Sequence, residues 1–87
     1  MEIGQVVLVK AGRDKGKAFI VVGSIDESYV YIANGKNRTM SKPKKKKIKH
    51  LEIKPEFFRE IKEKIESGKP VFDDEIRKCL DSLGYEK

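Results

Sequence analysis

Eighty-seven residues, 38% hydrophobic and 39% charged, with twenty Lys plus Arg against fourteen Asp plus Glu, describe one small domain of formal charge +6. A single cysteine, Cys79, excludes an intramolecular disulfide and a cysteine-based metal site. No apolar run nears the ~20 residues needed to span a bilayer and no signal-peptide pattern opens the chain, so the expected setting is the cytoplasm.

Gln5 to Lys10 (QVVLVK) is rich in β-branched residues and follows Gly4, which predicts a first strand. Ala11 to Lys17 (AGRDKGK), with two glycines and four charges, reads as a loop. Ala18 to Ile25 (AFIVVGSI) is a second strand, in which Gly23 marks a bulge or bend. Asp26-Glu27-Ser28 turns the chain into a third strand, Tyr29 to Ala33 (YVYIA). Asn34-Gly35 is a turn signal because both residues tolerate positive φ. Lys36 to Lys47 (KNRTMSKPKKKK) is almost devoid of apolar residues and is expected to be an exposed loop, with at most a short strand around Thr39 and Met40. Ile48 to Ile53 supplies a last strand.

From Pro55 the period turns helical. Apolar residues at Phe57, Phe58, Ile61 and Ile65 share a face, Pro55 suits a first helical position, Glu60 and Lys64 form an i,i+4 pair, and Gly68 is the stop. A second helix starts near Asp73, which would cap it, and carries a stripe of Phe72, Ile76, Cys79, Leu80 and Leu83 before Gly84. Phe19, Phe57, Phe58 and Phe72 are expected in the core. Tyr29 and Tyr31 face one side, and completing the core is a readier reading for them than stacking on bases. The expected class is mainly β: a small barrel over residues 1–54, then a helical extension over 55–87, packed on or beside it.

The charge is one-sided along the chain. Residues 1–54 carry thirteen Lys or Arg against five Asp or Glu; residues 55–87 carry seven against nine. Residues 34–54 alone hold nine basic side chains and one acidic one, Glu52. Such density suits a polyanion, and its affinity would be salt-dependent through counterion release. In the first loop, Arg13, Lys15 and Lys17 can neutralise phosphates while glycines let the backbone approach. This is not a nucleotide-cradling loop, because the G-x-x-x-x-G-K-[ST] spacing is absent.

Signals for catalysis are missing. His50 is the sole histidine, Cys79 lies on an apolar helix face, and Asp73-Asp74-Glu75 is explained by helix capping and dipole complementation. No nucleophile–base constellation is evident, so neither an enzyme nor a bound metal or cofactor is expected.

Val9 to Lys17 (VKAGRDKGK) followed by Phe19-Ile20-Val21-Val22 resembles the KOW motif, a pair of strands flanking a basic, glycine-containing loop. The segment is similar to that of the archaeal and eukaryotic large-subunit ribosomal proteins of the L14e/L6e/L27e group, as is Lys46-Lys47-Ile48-Lys49-His50-Leu51. Together these cover roughly the first fifty residues. The resemblance implies an SH3-like barrel that binds ribosomal RNA, with Gly16 as the motif glycine, Arg13, Lys15 and Lys17 on the RNA-facing loop, and Lys47, Lys49 and His50 in the second segment. Charge adds Lys36, Arg38, Lys42, Lys44, Lys45 and Lys46 to the expected contact set. The expected function is RNA binding in the translation apparatus. The alternative is a protein-interaction module of a transcription or translation complex, using the barrel or the amphipathic helices.

Overall fold

The computed structural model describes residues 1–85. Five antiparallel strands run in the order β4-β3-β2-β1-β5: β1 is Gln5–Val9, β2 Ala18–Ser24, β3 Tyr29–Ala33, β4 Lys44–Lys47 and β5 Leu51–Phe57. Two helices follow, α1 over Arg59–Glu66 and α2 over Asp73–Asp81.

The connection between β4 and β5 dictates the curvature. These strands occupy opposite edges of the sheet, yet only a 3-10 turn, Ile48–His50, joins them. Such a turn advances about 6 Å, whereas a flat five-stranded sheet would hold its edges roughly 19 Å apart. The sheet must roll until its edges meet, which is the small SH3-like barrel expected from the sequence. Gly23 helps it bend: the β2–β3 register shifts between Val21 and Gly23.

Rolling separates the strand residues into two cores. Val7, Val9, Phe19, Val21, Val30, Ile32 and Leu51 fill the barrel. The alternate positions Val6, Ala18, Ile20, Val22 and Ala33 point outward, and Ile61, Val71, Ile76 and Leu80 cover them. β1 and β2 are therefore buried on both faces, which is why VVLV and AFIVV read as continuous apolar runs rather than alternating ones. The helices pack on the barrel with their apolar faces inward.

Three stretches differ from the sequence expectation. The four lysines form strand β4, not a loop, paired residue by residue with β3 from Tyr29↔Lys47 to Ile32↔Lys44. An edge strand tolerates them because their long stems can lie along the sheet while the ammonium groups find polar partners, Lys44 at Asp14 and Lys46 at the Ala11 carbonyl, or water, as at the exposed Lys45. Ile48–His50 is the 3-10 turn, so the last strand begins only at Leu51. Pro55 lies within β5 rather than starting a helix. The β1–β5 register shifts between Gln5 and Val7, and in that bulge the Gln5 amide donates to the carbonyls of Lys54 (2.6 Å) and Glu56 (3.0 Å). A bulge on an edge strand is where a residue without N–H fits.

Within the helices, the Glu60–Lys64 pair forms (3.7 Å), and Lys64 also reaches Glu75 of α2 at 2.6 Å. That hydrogen bond holds the Lys64 ammonium above its ordinary pKa and the Glu75 carboxyl below its own. Asp73 does not cap α2. It lies in the first turn, and its carboxylate accepts the Met40 N–H at 2.8 Å, tying the β3–β4 loop to the helix. Phe72 is 64% exposed instead of core, since it precedes the helix and leads away from the packed stripe. No helix among the described residues is long and apolar enough to cross a membrane.

Candidate nucleic-acid interface

The basic residues arise from three elements that rolling brings to one side: the β1–β2 loop, the β3–β4 loop and β4. The β1–β2 loop is fastened by backbone bonds, with Gly16 N–H donating to Val9 at 2.8 Å and Lys17 N–H to Asp14 at 2.9 Å. Gly16 has φ +86° and open space where a Cβ would stand. Arg13, Lys15 and Lys17 are exposed around it.

Asp14, by contrast, is buried at 4% exposure and faces three cations. Lys17 lies at 3.6 Å, Lys44 at 3.7 Å and Arg38 at 3.9 Å. One carboxylate cannot neutralise three cations, so the rim keeps an excess of positive charge. The β3–β4 loop that brings Arg38 here is organised by Asn34. Its side-chain oxygen accepts the N–H groups of Lys36 and Arg38, both at 3.0 Å.

β4 presents lysines in alternation. Lys44 and Lys46 lie opposite Ile32 and Val30, and their heads turn to the first loop, Lys46 donating to the Ala11 carbonyl at 3.2 Å. Lys45 and Lys47 share the outer face with Tyr31 and Tyr29. Their ammonium groups sit 4.7 and 5.8 Å from the Tyr29 ring centroid, which places positive charge on an aromatic face. Tyr31 is 39% exposed, and its ring lies over Gly23. The tyrosines thus belong to the surface, contrary to the core reading. A cue lay in the sequence: Val30 and Ile32 alternate with them and claim the interior.

His50 ends the 3-10 turn. Partial burial lowers its pKa below the ordinary 6.5, and the charges of Lys49, Lys46, Lys47 and Lys10 lower it further, so protonation of the ring is disfavoured. Lys49 is exposed beside a groove that Glu27, Ser28, Lys47 and Ile48 also line. Lys36 stands apart, paired with Asp81 of α2 at 3.6 Å. Lys42 is exposed. Among the described residues, Arg13, Lys15, Lys42, Lys45, Lys47 and Lys49 have no carboxylate within ion-pair distance. The same residues contain no cluster of three His, Cys, Asp or Glu able to hold a metal. Burial raises the Cys79 thiol above its usual pKa, with Glu60 and Glu75 adding to the effect.

A rolled five-stranded sheet whose cationic loops meet around Asp14 defines a small SH3-like barrel protein with a basic rim. No protein-family model matches the chain. Relatives named large ribosomal subunit protein eL14 do: that of Pyrobaculum aerophilum is 32% identical over 84 residues, 97% of this chain and 75% of the relative. That of Hyperthermus butylicus is 30% identical, covering 97% and 79%, and that of Aeropyrum pernix 27%, covering 97% and 77%. The chain belongs to the large ribosomal subunit protein eL14 family. Because the similarity extends over 97% of the chain, it takes in the helical tail, which the motif resemblance had left outside.

Proposed function

We propose that this chain is a component of the cytoplasmic large ribosomal subunit that binds ribosomal RNA through its basic rim, with a structural rather than a catalytic role. The carrying observation is the set of cations without carboxylate partners: Lys45 and Lys47 on β4, the first exposed and the second half-buried, with the exposed Arg13, Lys15, Lys42 and Lys49 around them. Charge left uncompensated on one face is stabilised by a polyanion, and lysines on flexible stems suit backbone phosphates more than base edges. Gly16 lets the loop backbone come close to RNA. Lys17, Arg38, Lys44, Lys46 and His50 frame the contact, and Lys36, held by Asp81, lies at its margin. Tyr31, half exposed beside Lys45, could take an unpaired base on its ring.

A second reading gives the helical tail a protein partner. The apolar faces of α1 and α2 are spent on the barrel, so such a partner would meet the exposed Glu60, Glu63, Glu66 and Asp74 and would itself be basic.

The test is RNA affinity across a salt series for the native chain and for Lys45→Gln/Lys47→Gln. The native chain should bind structured RNA tightly at low salt. Loss of two phosphate contacts should flatten the log–log slope by about two. Absence of binding at low salt, or an unchanged slope in a folded variant, would sink the proposal.

A further inference from the structure

The sharpest anomaly lies beneath the basic rim. Asp14 Oδ2 and Arg38 Nε are both buried and neither makes a hydrogen bond. Their separation is 3.9 Å, and the Lys17 and Lys44 contacts to the same carboxylate, at 3.6 and 3.7 Å, are also beyond hydrogen-bonding length. Three cations from three elements converge on one acid without closing on it. A buried donor left open in this way is uncommon and calls for an explanation.

We propose that Lys17, Arg38 and Lys44, held apart and oriented by Asp14, form a seat for a single phosphate group of the RNA backbone. This inference rests on the RNA-binding reading above. Three positive charges against one negative leave an excess that a phosphate complements. The Lys17 and Arg38 side chains are 45% and 38% exposed, so the seat opens to solvent. Gly16, with nothing near its Cβ position, leaves room for the backbone of the bound strand. Arginine supplies a planar fork that matches phosphate oxygens, and the 38% exposure of the Arg38 side chain gives a phosphate access to it while the buried Nε–H stays turned toward Asp14. Asp14 is a positioning residue: it offsets the mutual repulsion of the cations and links the β1–β2 loop to the β3–β4 loop before RNA arrives. Each cation held ready in this way should contribute roughly two- to tenfold in affinity.

The proposal predicts a sign that charge counting reverses. Asp14→Asn makes the chain more basic, so a purely electrostatic rim would bind RNA more tightly. A positioned seat binds it more weakly, by roughly two- to tenfold or more. Arg38→Lys keeps the charge and guards against a folding defect in the first variant. It should also weaken binding, while a charge-only rim would be indifferent. The structural readout is the Arg38 Nε–H resonance in the native chain, titrated first with inorganic phosphate and then with RNA. Both should shift it in a saturable way, and Asp14→Asn should abolish the phosphate response. Tighter RNA binding by Asp14→Asn with unaltered binding by Arg38→Lys overturns the seat while leaving the RNA reading intact. So does RNA binding that leaves the Arg38 resonance unmoved. Failure of the native chain to bind RNA at low salt overturns both.

Discussion

Gly35 shows how much a single position can carry. It has φ +75°, and a Cβ there would collide with the Asp73 carbonyl and press on the backbone and Cβ of Arg77. Its carbonyl in turn accepts a hydrogen bond from the Arg77 guanidinium at 3.2 Å, a group that also pairs with Asp74. The turn is therefore the bearing on which α2 rests. Asn34, which also tolerates positive φ, keeps an ordinary backbone and contributes through its side chain instead. Gly35→Ala should cost about 2–4 kcal/mol, combining left-handed strain with overpacking. Gly16→Ala, at φ +86° in open space, should cost only about 1–2 kcal/mol. Urea denaturation of both variants checks this, and equal losses would show that contact with α2 adds nothing.

At the scale of elements, α2 is bound to the barrel by Ile76 and Leu80 on the outer faces of β1 and β2, and by Asp73 on the β3–β4 loop. Ile76 is fully buried, so Ile76→Ala should destabilise by about 2–5 kcal/mol. If barrel and helices form one cooperative unit, the far-ultraviolet and tyrosine signals will still lose structure in a single coincident transition; two separated transitions would show independent parts. The first three strands could be read from composition and turns because their apolar residues are local and dense. β4 could not, because nothing in four lysines records the partner strand that supplies its hydrogen bonds. Pro55 misled for a related reason: its tolerance at a helix start and its tolerance in an edge bulge look alike until Gln5 is seen bridging the bulge. Of the site, the cations were visible and their division was not. The pairing of Lys36 with Asp81 and the burial of Asp14 depend on contacts distant in sequence, whereas the outward tyrosines follow from their local alternation with Val30 and Ile32.

Over the whole molecule, charge is polarised: a basic rim faces one way, and helices with exposed glutamates cover another side of the barrel. His50 reports on the rim. Its native pKa lies below the ordinary 6.5, so the folded chain binds fewer protons than the unfolded chain between those two values. Stability contributed by the neutral ring should be full above pH 6.5 and fall as pH drops through that window. Lysine charges supply part of the shift, so added salt should raise the His50 pKa toward 6.5, as followed by the imidazole proton resonances. A pKa indifferent to salt would assign the whole effect to burial. The phenol of Tyr85 is pushed the other way, up to about 12, by its hydrogen bond to Glu56, which fastens the end of the described chain to β5.

The double burial of β1 and β2 also bears on how such a protein can change over generations. A strand with one wet face can be rewritten at every second position, but most positions of these two strands touch one core or the other. Drift and new specificity are thereby channelled to the exposed positions of the rim, such as Arg13, Lys15, Lys42 and Lys45, which can exchange without disturbing the frame. The barrel acts as an inheritance held constant, and the rim as the page on which lineages write.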